Sequence, residues 1–177
     1  MTLTHVARHA ELTLRTRALE ALFDGIARSR MAGLPFMNSA LRVEAVDFSL
    51  EPSRGSDELQ GTAESGHAAG VLVTPWFMNL VRFPLARRDM PARLGTSRLR
   101  HVGQEQFAFT GAHEDAFGSF EACSLFSPVF EFGTQADAIA TASTLLAQLR
   151  QAAAARPAAP ARRSFLLGRG ATQRQAP

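Results

Sequence analysis

Apolar residues first recur at helical spacing: Leu12, Leu19, Leu22, Phe23 and Ile26 share one side, with Arg15, Glu20, Asp24 and Arg28 on the other. That period predicts an amphipathic helix, which Gly33 and Pro35 stop. The period then falls to two. Leu41, Val43 and Ala45 alternate with Arg42 and Glu44, and Val46, Phe48 and Leu50 continue in the opposite phase. A phase slip of this kind predicts a strand with a bulge. Glu51 to Gly66 is rich in Gly, Ser and acids and reads as a loop, with a strand beginning near His67. Val71 to Thr74 is β-rich, Pro75 requires an edge or a break because it cannot donate to a ladder, and Trp76 to Phe83 resumes as an apolar run.

Pro84 to Thr96 carries Arg87, Arg88, Pro91, Arg93 and Gly95 and reads as a surface excursion. Leu99 to Val102, Gln106 to Thr110 and Ser119 to Phe126 predict three more strands, separated by Gly103 and by a turn region from Gly111 to Gly118. Thr134 with Asp137 three residues on resembles a capping box, and Ile139, Leu145, Leu146 and Leu149 supply the apolar face of a second helix. From Ala152 the chain is Ala, Pro and Arg. The expected architecture is α+β: a two-layer sandwich, an antiparallel sheet with the N-terminal and C-terminal helices on one face. Residues 1–155 form its one domain, and 156–177 a flexible tail with a short apolar island.

Charge changes the picture in one respect. All 19 basic residues are arginine, and five of them follow Arg150, where no acid occurs. Met1 to Arg150 therefore holds 14 arginines against 16 acids, a formal −2, and Gln151 to Pro177 holds +5. The high pI of about 10.8 belongs to the tail, and the body lacks the basic stripe with interleaved aromatics of a nucleic-acid binder. Pro75, Asn79 and Arg82 interrupt the most apolar stretch, so no membrane insertion is expected. Met1 to Ala10 has no apolar core of signal-peptide length, which places the protein in the cytoplasm as an expectation.

Three segments carry a resemblance. Val73-Thr74-Pro75-Trp76-Phe77-Met78-Asn79 runs into Phe83-Pro84; Cys123-Ser124-Leu125-Phe126-Ser127-Pro128 follows; and Arg162-Arg163-Ser164-Phe165-Leu166-Leu167-Gly168-Arg169 closes the chain. In this order they resemble the HybE family of NiFe-hydrogenase assembly chaperones. The resemblance implies an α+β domain that binds the precursor of the hydrogenase small subunit through its twin-arginine signal and delays export until cofactors are inserted. The large subunit and other maturation proteins are further partners it suggests. It implies no catalytic residue, no cofactor and no metal.

Trp76, Phe77, Met78 and Phe83 are the candidate client-binding residues, because aromatic and Met side chains give adaptable apolar contact. The same stretch also suits a sheet core, with Trp76 and Met78 on one face and Phe77 and Val81 on the other. Asp89 and Glu131 are candidate acids for the client's arginines. In the tail, Arg162, Arg163, Phe165 and Leu166 imitate a twin-arginine motif, and an Ala/Pro-rich linker from Gln151 to Ala161 would let them reach the domain's own groove. A plain solvated basic tail accounts for them equally well. Alternatives are a peptide-binding adaptor unrelated to hydrogenase, or an enzyme using Cys123, although none of the five histidines stands in a nucleophile motif with that cysteine. His5 and His9 have the i, i+4 spacing that can hold a metal on a helix, a spacing that near a terminus is more often incidental.

Overall fold

The computed structural model describes residues 2–51, 66–87, 94–102 and 105–154. Helix α1 (Thr2–Arg28) precedes strands β1 (Glu44–Leu50), β2 (His67–Val73), β3 (Met78–Pro84), β4 (Ser97–Val102), β5 (Glu105–Glu114) and β6 (Gly118–Phe126), and helix α2 (Gln135–Ala154) ends the fold. The strands form one sheet in the order β1-β2-β3-β6-β5-β4, every neighbouring pair antiparallel. Two meanders thus meet at the β3–β6 pair.

The class is the expected α+β sandwich, but the helices do not share a face. Side chains alternate along a strand, and Ala68, Leu72, Val81 and Phe83 pack with Leu12, Leu19, Phe23 and Ile26 of α1. Val71, Val73, Met78 and Leu80 pack instead with Ala138, Ala142 and Leu146 of α2. The two helices therefore clamp the sheet from opposite sides. This explains why β2 and β3 are apolar on both faces, a pattern that strands with one solvated face do not show.

The bulge falls where the phase slips. Pairing of β1 with β2 shifts between Val46 and Ser49, and Asp47 takes a φ of +50°. Val46 consequently faces α2 while Phe48 and Leu50 face α1. A Cβ on Gly70 would come within 2.6 Å of the Phe48 ring and 2.8 Å of its backbone, so only glycine admits Phe48 there. Leu41 is buried but precedes the strand, and Gly111 continues β5 through Glu114, which narrows the expected turn region to the residues before Gly118. The α2 cap forms as expected: the Asp137 amide donates to Thr134 Oγ1 at 3.1 Å and Thr134 Oγ1 donates to the Asp137 carboxylate at 2.7 Å.

Arg15 departs from its assigned polar side. It stands three residues after Leu12 and four before Leu19, hence on the buried stripe. Its guanidinium carbon lies 3.9 Å from the centre of the Phe117 ring, and Nη1 donates to the Phe117 carbonyl at 2.9 Å.

Candidate functional site

Three connections meet at one end of the sheet: residues 29–43 between α1 and β1, residues 74–77 between β2 and β3, and residues 127–134 between β6 and α2. Thr74, fully buried, builds the middle one. Its amide donates to the Phe77 carbonyl at 2.9 Å, its hydroxyl accepts the Phe77 amide at 3.0 Å, and Pro75 and Trp76 form the tip. Asn38 then lashes the three together. Its amide donates to the Pro75 carbonyl at 2.7 Å, and Nδ2 donates to the carbonyls of Val129 and Phe132 at 3.0 and 2.8 Å.

This end displays apolar surface. Leu34 is 37% exposed, Phe36 40% and Phe130 57%. Trp76 and Phe77 are half-buried, their rings 5.3 Å apart and 6.4 and 5.7 Å from that of Phe23. Large rings held at a rigid loop end, partly in water, suit contact with another apolar chain. Glu131, exposed, lies beside Phe130.

Of the four expected client-binding residues, the structure brings Trp76 and Phe77 to this end and sends the other two inside. Met78 and Phe83 are fully buried, Met78 under α2 and Phe83 under α1. The pairing of Trp76 with Met78 on one face also fails, because alternation begins only at Met78 after the turn, and both Trp76 and Phe77 pack on the α1 side. Asp89 and the tail residues Arg162, Arg163, Phe165 and Leu166 lie outside the described residues. Sequence reasoning missed Asn38, Phe36 and Phe130. An Asn amid apolar loop residues was the available signal, but its partners lie more than 90 residues downstream.

A second polar cluster crosses the α2 face. Arg82 Nε donates to Glu51 at 2.7 Å and Nη1 to Glu121 at 3.2 Å, while Arg100 reaches Glu121 through Nη2 at 2.7 Å and Nε at 3.1 Å. Burial of Glu121 acts to raise its carboxyl, but bonds and charge from Arg100 and Arg82 together hold it below its ordinary 4.5. Each carboxylate here already has arginine partners, so the cluster braces the sheet.

Cys123 is half-buried on the α2 side, and burial pushes its thiol above the usual value, away from the thiolate a nucleophile needs. His113 lies 3.2 Å from the Ser119 hydroxyl and 3.4 Å from the Asp115 carboxylate, but Asp115 is fully exposed and a carboxylate in water orients an imidazole weakly. Among the described residues no group of three metal-ligating side chains occurs, and no helix is long and apolar enough to cross a membrane.

The two helices thus clamp the sheet, its loop end shows apolar rings, and the charged cluster on the α2 face is internally paired. The [NiFe]-hydrogenase assembly chaperone HybE family model matches residues 14–168. The chain is 42% identical to protein HoxT of Cupriavidus necator over 88% of this chain and 89% of that one, and 36% identical to the hydrogenase expression/formation protein HupJ of Bradyrhizobium diazoefficiens over 85% of each. The solution structure of HybE from Escherichia coli shares the fold at a TM-score of 0.53 and 21% identity, covering 89% of this chain and 91% of that chain. The chain belongs to the HybE family of hydrogenase assembly chaperones. Membership implies a part in hydrogenase assembly, with hydrogenase subunits as partners.

Proposed function

We propose that the loop end lashed by Asn38 is where this chaperone holds its client, the cytoplasmic precursor of a hydrogenase small subunit, by the twin-arginine signal. The observation that carries this reading is the convergence of Leu34, Phe36, Trp76, Phe77 and Phe130 at one end, each with accessible surface, on loops fixed by a single part-buried amide. The signal joins two arginines to an apolar stretch. Rings that exclude water suit the apolar stretch, and the Glu131 carboxylate beside them suits a guanidinium.

Isothermal titration with the signal peptide tests the assignment. Phe36→Ser and Phe130→Ser together are expected to abolish measurable binding, and Lys-Lys replacement of the peptide's arginines to weaken it, since lysine cannot form the bidentate pair. Unchanged affinity in the double variant moves the client elsewhere. The Cys123 enzyme reading has a half-buried, poorly ionised thiol against it. Retrieval of a hydrogenase precursor by the full chain distinguishes the chaperone from an unrelated peptide adaptor.

A further inference from the structure

Early in α1, residues 5–7 and 9–11 are exposed, while Arg8 packs against Gly66. Among the helix residues from 5 on, Leu12 is the first that is buried, and His5 and His9 stand before it, both exposed. A helix sets residues i and i+4 on one face. Here the Nε2 atoms of the two histidines approach to 3.2 Å, with ring centroids 4.3 Å apart. A metal ion bonded to two imidazoles at about 2.0–2.1 Å, with an angle between a right angle and the tetrahedral one, holds the two nitrogens about 2.9–3.4 Å apart. The pair already stands at that spacing.

The surroundings leave the pair open. Arg8, the nearest cation in sequence, directs its guanidinium at Gly66, where a Cβ would come within 2.1 Å of Nη2, and so points back toward the sheet. Among the described residues no third His, Cys, Asp or Glu joins the two to complete a ligand group. The pair precedes residue 14, where the family match begins.

We propose that His5 and His9 form a two-imidazole site for a borderline divalent cation, with the remaining coordination positions taken by water or by a donor from another molecule. Imidazole ligands without thiolate or a carboxylate cage select copper, nickel or zinc over calcium or magnesium. Binding bridges two successive turns, so it also pins the start of α1.

The full chain titrated with Cu2+, the strongest binder of that series, tests the proposal by calorimetry and by amide hydrogen exchange. One equivalent is expected to bind, and His5→Ala or His9→Ala each to weaken binding about 100-fold or more, since the second bond of a chelate forms at high effective concentration. His101→Ala is the control and leaves binding intact. Exchange protection of the amides of residues 6–12 rises with metal in the parent chain and in neither single variant. Both substitutions fall at exposed helical positions where alanine is the best helix former, so loss of binding does not reflect loss of fold. Binding that survives either substitution, that depends on one histidine alone, or that leaves exchange unchanged overturns the paired site.

Discussion

The loop end around Asn38 and the ion-pair belt around Arg82 solve opposite problems. In the belt, each charged group taken partly out of water finds its counter-charge within the chain, from Glu51 through Arg82 and Glu121 to Arg100. At the loop end the polar groups are equally well paired, through Thr74 and Asn38, yet the apolar side chains Leu34, Phe36 and Phe130 are left in water. A chain able to bury some of its phenylalanines completely elsewhere leaves these rings out. Under the proposed function, the difference separates a surface finished by its own chain from one left for the client.

Breaking the belt should cost the most stability. Arg82→Ala leaves Glu51 and Glu121 half-buried without their shared cation, and after allowance for their partial exposure a loss of about 2–3 kcal/mol is expected. Urea denaturation reads that loss directly, and client affinity should not move. Asn38→Ala comes next. It removes two bonds donated by Nδ2 and one accepted by Oδ1 from the Ala40 amide, a loss of about 2 kcal/mol. Unlike Arg82→Ala it should also weaken signal-peptide binding, because the loops lose their common anchor; a stability loss with unchanged affinity would separate the lashing from the site.

A smaller effect sharpens the electrostatic side. Glu121 has a folded carboxyl held below its ordinary value, so its contribution is present above about pH 4.5 and is lost as pH falls through the lowered folded value. Glu121→Gln removes this dependence. Parent and variant should converge on acidification through the lowered folded value, from a difference on the order of 1 kcal/mol at neutral pH, given a partly exposed group. Divergence in acid would reverse the assigned sign. Smallest in stability are Phe130→Ser and Cys123→Ser, each expected within about 1 kcal/mol of the parent. They differ in function: the serine at 130 weakens client binding and the serine at 123 does not, a contrast one titration of each variant resolves.

Much of the fold was legible in the sequence because it rests on local periods. The α1 stripe, the phase slip at Asp47 and the Thr134 cap each concern residues within a few positions of one another. Which face of the sheet each helix covers is a long-range matter, and the period of α2 is the same on either side. Arg15 escaped because its charge outweighed its position, although Phe117 supplies both a ring and a carbonyl to receive it. The apolar segment from Val73 to Phe83 reads as one run in the sequence, but the turn at Thr74 to Phe77 leaves Trp76 and Phe77 part-exposed and sends Met78 and Phe83 inside. Phe36 and Phe130 belong to loops that only Asn38 joins, and no short motif announces such a tie.

Helix α2 also acts as a ruler for the chain beyond it. It starts beside the loop end, where Gln135 bonds Glu44, and runs the length of the sheet, where Arg150 bonds Asp47 and Ser49. Its 20 residues span about 30 Å, and they include Gln151 to Ala154, which were expected to belong to the linker. The leash from Ala154 to Arg162 is then eight peptide steps, about 26–29 Å when drawn taut. Reaching back to the loop end would take the whole contour length of that segment, a geometry that gives little effective concentration there. Removal of residues 157–177 is accordingly expected to change signal-peptide affinity less than about twofold. A several-fold tightening would show that Arg162, Arg163, Phe165 and Leu166 do travel back along the helix, and a neighbouring molecule's tail, free of this leash, would then have to be tested by dilution.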